Sequence, residues 1–226
     1  MGDIRFEGVS HRFGDDAVLR EIDLTLTEQR IGVVGANGSG KSTLVRLVNG
    51  LVSPQAGRVL VDGQDVAKHA REVRRRVGFI FTNPDTQIVM PTVREDVAFS
   101  LRRLKLPATD AAARVDAALE RFGLDALADR AAHRLSGGQK QLLALAAVLV
   151  AEPSIVIADE PTTLLDGRNA RIVTEYLGSL HQQLIVVTHQ LDLLEDFERV
   201  IVMEDGRVVA DDAPGPALEL YRAAIR

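Results

Sequence analysis

Nine consecutive residues, Gly35-Ala36-Asn37-Gly38-Ser39-Gly40-Lys41-Ser42-Thr43, hold the densest chemistry in this chain. Their spacing is that of a P-loop: glycine, four residues, then Gly-Lys-Ser. Glycines let successive backbone N–H groups converge on phosphate oxygens without a clashing Cβ. A helix starting near Lys41 adds the positive end of its dipole. Lys41 is then expected at the β- and γ-phosphates of a nucleotide, and Ser42 offers Mg2+ a hard hydroxyl oxygen. A second constellation lies far downstream, where Ile155-Val156-Ile157-Ala158 ends in Asp159-Glu160. Two carboxylates at a buried strand end are costly unless they bind something. Asp159 is expected to hold Mg2+ through water. Glu160 is expected to polarise an attacking water as general base, a role typically worth about 10²–10⁴ in rate.

The elements that must carry these residues are legible nearby. Ile31-Gly32-Val33-Val34, Ile155-Val156-Ile157-Ala158 and Leu184-Ile185-Val186-Val187 are short apolar runs. Each reads as a strand buried on both faces. The first feeds the glycine loop and then a helical pattern, Lys41 to Asn49, stopped at Gly50. A second helical pattern, Arg168 to Leu180, precedes the third run; its stripe of Ile172, Val173, Tyr176, Leu177 and Leu180 reads as core packing. Strands alternating with helices imply an α/β fold with a mostly parallel sheet. Other segments read as antiparallel. Val59 to Val61 meets Asp62-Gly63, and Val200 to Met203 meets Asp205-Gly206 before Arg207-Val208-Val209. Ile4 to Phe6 and Leu19 to Leu26 alternate loosely and are assigned to that antiparallel β subdomain. A stretch from about Pro84, rich in alanine, leucine and charge, reads as a helical insertion over approximately 84–150 within one domain spanning 1–226.

Bulk composition removes several classes of function. The 226 residues carry 27 basic and 32 acidic side chains, a net charge of −5, which disfavours general nucleic-acid binding through phosphate neutralisation. The chain has no cysteine, so disulfides and thiolate metal sites are excluded. Its first residues lack the apolar stretch of a secretory signal. The longest apolar run, Leu142 to Ala151, is half of the ~20 residues that cross a bilayer. Service to a membrane would therefore be peripheral, from the cytoplasmic face of the inner membrane.

Leu135-Ser136-Gly137-Gly138-Gln139, just upstream of the two acids, resembles the signature of ABC ATPases. The physical logic is again a helix tip of small residues facing anionic phosphate, here ahead of a helical pattern from Lys140 to Val150. The resemblance implies a P-loop NTPase of the ABC type and a head-to-tail dimer, homo- or heteromeric. In it two ATP molecules with Mg2+ are sandwiched, and each signature reaches the γ-phosphate held by the other chain. Further residues match in order. Phe13 stands where an aromatic stacks on adenine, although a core phenylalanine would read the same. Thr162 to Asp166 resembles the loop coupling the two sites, with Asp166 its acid. His189, at the end of the third buried strand, matches the histidine that contacts the γ-phosphate. His11, His69, His133 and His181 have no such placement and read as structural or solvated.

The sequence departs from that pattern at Thr82, where the family usually places a glutamine; threonine reaches less far toward Mg2+ or its water, and Gln87 lies near. Asn83 to Val89 and Thr92 to Phe99 resemble the ATPases of energy-coupling-factor importers for biotin, cobalt, nickel and similar micronutrients. The resemblance implies a transmembrane coupling protein and a separate substrate-binding membrane protein. Glu95 and Asp96 are candidates to meet an arginine of the coupling protein. The chain's last residues follow soon after the Gly206 hairpin, so no long accessory domain is expected, and pairing is expected to be weak without nucleotide. The alternative is a conventional ABC transporter subunit; a DNA- or ribosome-acting ABC protein, or a P-loop kinase or GTPase, fits the motifs less well.

Overall fold

The computed structural model describes residues 2–224; Met1, Ile225 and Arg226 lie outside the described residues. In chain order the strands are β1 (Ile4–Phe13), β2 (Asp16–Leu26), β3 (Arg30–Gly35), β4 (Ala56–Val61), β5 (Gln64–Asp65), β6 (Val77–Ile80), β7 (Ile155–Asp159), β8 (Gln183–Val187), β9 (Arg199–Glu204) and β10 (Arg207–Asp212). The helices are α1 (Lys41–Val48), α2 (Val66–Arg76), α3 (Val93–Leu101), α4 (Ala108–Arg121), α5 (Gly137–Leu149), α6 (Gly167–Gly178) and α7 (Pro214–Ala224). The chain divides into two compact units. One comprises Met1–Gly78, Ser154–Glu160 and Leu180–Arg226; the other comprises Phe79–Pro153 and Pro161–Ser179.

The first unit is built on a sheet ordered β10-β9-β3-β8-β7-β6. The three apolar runs are β3, β7 and β8, and their side chains are buried on both faces, as parallel strands under helices require. Register brings their carboxyl ends together, since Val187 of β8 pairs with Val33 of β3 and with Asp159 of β7. Ligands of open parallel sheets bind beyond such ends. The second sheet, β2-β1-β4-β5, is antiparallel. Along β2, Ile22, Leu24 and Leu26 are buried while Asp23 and Thr25 are exposed, the period of two that covers one face.

The Asp-Gly dipeptides at 62–63 and 205–206 make the turns that their chemistry favours. Asp62 and Gly63 have φ of 49° and 75°, and Asp205 and Gly206 have 45° and 76°, positive at both central positions as in a type I′ hairpin. One expectation needs correction. The strand before the second hairpin, β9, is antiparallel to β10 but also runs parallel to β3, so it belongs to the site-bearing sheet. β1 also runs on to Phe13, well past Phe6. Register shifts at Phe6/Val9, Val9/His11 and His11/Arg12 break its alternation, which hides a long strand from pattern reading.

The second unit contains α3, α4, α5 and α6. Leu143, Ala144, Leu145 and Ala146 of α5 are fully buried. α6 buries Val173 and Leu177, and its Tyr176 hydroxyl donates to the Arg121 carbonyl at 2.7 Å. The unit thus takes in Pro161–Ser179 as well as the stretch after β6.

Candidate functional site

In the first unit, β3 ends in the glycine loop and α1 begins at Lys41. Gly40 is the residue before the helix, with φ 99°, and a Cβ there would lie 2.6 Å from the Val18 carbonyl oxygen. Only glycine fits both demands. No side chain caps α1, so the N–H groups of its first turn are left for an anion. Asn37, Gly38, Gly40, Lys41, Ser42 and Thr43 line a cleft of about 290 Å³ together with Glu160. Ser39, in the same loop, is buried. The Lys41 ammonium donates to the Gly35 and Ala36 carbonyls, both at 2.8 Å. Burial pushes the Lys41 pKa below the usual lysine range, and the charges of Glu160 and Asp159 oppose that shift.

Asp159 is fully buried at the end of β7. The Ser42 hydroxyl donates to its Oδ1 at 2.7 Å, and Arg46 Nη2 donates to its Oδ2 at 3.0 Å. Arg46 is a residue that the sequence reading missed. It stands four residues after Ser42, so both reach the same side of α1. Glu160 has φ 53°, a left-handed conformation uncommon outside glycine, and its N–H donates to the Val187 carbonyl at 2.9 Å. Its Oε2 lies 2.8 Å from His189 Nδ1. The β7–β8 register thus joins two residues that are 29 positions apart. Phe13 ends β1 with 56% of its surface exposed and its ring edge-on to buried His11, so it is not a core phenylalanine.

Hard oxygen donors, the Ser42 hydroxyl and the Asp159 carboxylate, suit Mg2+. Among the described residues no cluster of three His, Asp or Glu side chains could hold a metal alone. The donor set fits an ion that arrives with nucleotide phosphates.

In the second unit Leu135 is buried and Ser136 starts α5 with a capping box. Ser136 Oγ accepts from the Gln139 N–H at 3.3 Å, and Gln139 Oε1 accepts from the Ser136 N–H at 2.9 Å. The helix begins three residues earlier than the pattern from Lys140 suggested. The two glycines differ. A Cβ on Gly137 would meet open space, whereas one on Gly138 would lie 2.3 Å from the Asn169 side chain. Asn169 is held by Asp166, which caps α6 by accepting from the Asn169 N–H at 2.9 Å and from its Nδ2 at 2.8 Å.

Thr82 also belongs to the second unit. Gln87 is committed to the backbone: it accepts from the Phe81 N–H at 3.1 Å and donates to the Ala144 carbonyl at 3.2 Å. Glu95 is exposed and completes the capping box of α3 with Thr92. Asp96, the other candidate for the coupling protein's arginine, does not lie at the surface. It is 3% exposed, and its Oδ1 accepts from the Val89 and Met90 N–H groups at 2.8 and 2.9 Å. The two bonds give the buried carboxylate partners in the segment leading into α3.

The family described as ABC transporter matches residues 19–163 of the chain. The biotin transport ATP-binding protein BioM of Rhizobium etli is 47% identical over 219 residues, 97% of each chain. The energy-coupling factor transporter ATP-binding protein EcfA of Methanosarcina acetivorans is 41% identical over 218 residues, 93% of this chain and 80% of that one. Among solved structures, cbiO1 of Clostridium perfringens, described as part of the ABC transporter complex cbiONQ, matches with a TM-score of 0.83 at 33% identity, covering 98% of this chain and 93% of that one. The chain therefore belongs to the ABC transporter family as an ATPase subunit coupled to transport, and it resembles the energy-coupling-factor type.

Proposed function

We propose that two such ATPase chains close around two MgATP and drive a vitamin or metal-ion importer, with biotin, cobalt and nickel as its candidate cargoes. The observation that carries the reading is the cleft of the first unit, where the phosphate loop, Asp159 and the Glu160–His189 pair converge. Lys41 and the first turn of α1 grip the phosphates, and Phe13 offers its exposed ring to the base. Ser42 and Asp159 would hold Mg2+, which would supply charge neutralisation for the phosphates. Glu160 takes the proton of the attacking water, and His189 holds the Glu160 carboxylate and faces the γ-phosphate. Such catalysis is largely positioning and charge stabilisation.

The α5 tip of the partner copy completes each site in this reading. Its support is the exposure of Ser136 and Gly137 with open space above the glycine. The second unit also has a groove of about 310 Å³ lined by Ile88, Val89, Met90, Pro91 and His133, with Val89 61% exposed. It suits an apolar helix of the transmembrane coupling protein, and Glu95 on α3 suits that helix's arginine. No helix among the described residues is long and apolar enough to cross a membrane, in keeping with a peripheral subunit on the cytoplasmic face.

The test is sedimentation of Glu160→Gln with MgATP. A nucleotide-dependent dimer is expected, and a strict monomer at high concentration overturns the sandwich. Uptake of labelled biotin, cobalt or nickel by vesicles holding the chain with its membrane partners identifies the cargo.

A further inference from the structure

Asp159 presents two carboxylate oxygens, each with its own donor from α1. Ser42 takes Oδ1 and Arg46 takes Oδ2. The carboxylate is fully buried, whereas the Arg46 side chain is 40% exposed. Arg46 Nε is nevertheless buried and has no hydrogen-bond partner among the described residues. The guanidinium is therefore partly desolvated to reach Asp159, which an ornamental surface pair would not require.

We infer that Arg46 is a positioning residue for the metal half of the site: by fixing Asp159 Oδ2 it aims Oδ1, and through Oδ1 the lone pairs of Ser42, at the Mg2+ that accompanies ATP. The reasoning runs through proton counting. A serine hydroxyl has one hydrogen and two acceptor lone pairs. With its hydrogen on Asp159, Ser42 keeps both lone pairs for a cation. That orientation holds only while the carboxylate stays in one rotational state, and the terminal torsion of aspartate is intrinsically broad. Arg46 narrows it from the far oxygen. Its positive charge also opposes a nearby cation, but at 40% exposure that effect is screened by water, while the directional hydrogen bond is not. Orientation therefore wins, and Arg46 acts as an outer partner of the metal ligands. It is assigned no contact with ATP.

This inference rests on the reading of the cleft as a MgATP site, and the experiment separates the two. Binding of a fluorescent non-hydrolysable ATP analogue is measured in EDTA and in Mg2+ for wild type, Arg46→Lys and Arg46→Met. Loss of outer-shell partners typically costs 10–100-fold in metal affinity. Arg46→Met is expected to bind the analogue in EDTA within about twofold of wild type, because Lys41 and the loop are intact. Its Mg2+-dependent gain is expected to shrink about tenfold or more. Arg46→Lys, which restores one donor, is expected to recover part of the gain. Electron paramagnetic resonance of Mn2+ bound with the analogue reads the same loss without turnover. A full Mg2+ gain in Arg46→Met overturns the inference, as does an equal loss in EDTA and Mg2+. Absence of any Mg2+ gain in wild type overturns the cleft reading itself. Should Arg46→Met fail to fold, Arg46→Gln carries the comparison with the lysine variant.

Discussion

Glu160→Gln separates chemistry from structure unusually well here. The residue sits at φ 53°, and a left-handed non-glycine residue of this kind costs about 1–3 kcal/mol that the surroundings must hold in place. Glutamine has the same Cβ and the same length, so that cost is unchanged. It also keeps a side-chain oxygen able to accept from His189 Nδ1, which lies 2.8 Å from the carboxylate. What disappears is the negative charge and the capacity to take a proton. A lost general base corresponds to about 10²–10⁴ in rate, or roughly 3–5 kcal/mol of transition-state stabilisation. Binding moves the other way. Glu160 is one of the two charges that counter the burial-driven lowering of the Lys41 pKa, so it would also repel the phosphates that Lys41 is proposed to grip. MgATP affinity is therefore expected to be unchanged or slightly tighter. Phosphate release in single-turnover assays and titration with a fluorescent nucleotide read the two quantities separately. Turnover at the wild-type rate, with binding intact, refutes Glu160 as the base.

Asp96 gives a test on stability and pH. Burial raises its pKa above the usual carboxylate range, although the Val89 and Met90 N–H groups act to lower it. The folded chain thus holds this proton more tightly than the unfolded chain, and stability from this group declines as pH rises from the unfolded value through the raised folded one. Asp96→Asn removes that slope, so in denaturant titrations it gains on wild type as the pH rises above the ordinary carboxylate value. Asp96→Ala takes the acceptor from two part-buried N–H groups and is expected to cost about 1–3 kcal/mol; equal stability of the two variants contradicts the internal role. Gly138→Ala drives a Cβ against Asn169, which Asp166 anchors, and is expected to destabilise by about 1–3 kcal/mol. Gly137→Ala meets open space and is expected to stabilise α5 by up to about 1 kcal/mol while ATP turnover falls; unchanged turnover argues against a phosphate-facing tip. Glu95→Gln keeps the capping box and removes only the charge, so weaker co-purification with the transmembrane partner is expected, and an undiminished complex sinks the docking role.

The parts of the fold legible in sequence are those fixed by local physics. A four-residue β-branched run must be buried on both faces, and an Asp-Gly pair between apolar runs must turn with both φ positive. β3, β7, β8 and both hairpins follow from such rules. What stayed hidden depends on register or distant partners. Bulges interrupt the alternation of β1, so only Ile4 to Phe6 announced a strand. Asp96 follows another acid and looks solvated until the Val89 and Met90 N–H groups are placed over it. Arg46 shares a helix face with Ser42, a relation readable at once, but its partner lies 113 positions away and only the packing of α1 on β7 supplies it. Asn169 was hidden likewise, because its role depends on Gly138, a residue of another helix.

The N-terminal tips of α1, α5 and α6 are finished differently, and charge accounting gives a reason. α5 is closed by the Ser136–Gln139 capping box and α6 by Asp166, but α1 has no side-chain cap. In the cleft two cations, Lys41 and Arg46, already face two carboxylates, Asp159 and Glu160. ATP with one Mg2+ adds roughly two further negative charges that no remaining side chain of the cleft offsets. The open tip of α1 supplies about half a positive charge through its dipole and unmet N–H groups. The remainder must come from outside the cleft. Under the proposed dimer the partner's α5 tip supplies a further part of it, about half a charge, where Ser136 is capped yet exposed and Gly137 leaves space for an approaching phosphate. A chain that kept its charges balanced alone would bind MgATP without needing a second copy. Under the proposed dimer, the deficit that nucleotide creates would make pairing depend on ATP and lapse once the γ-phosphate has gone.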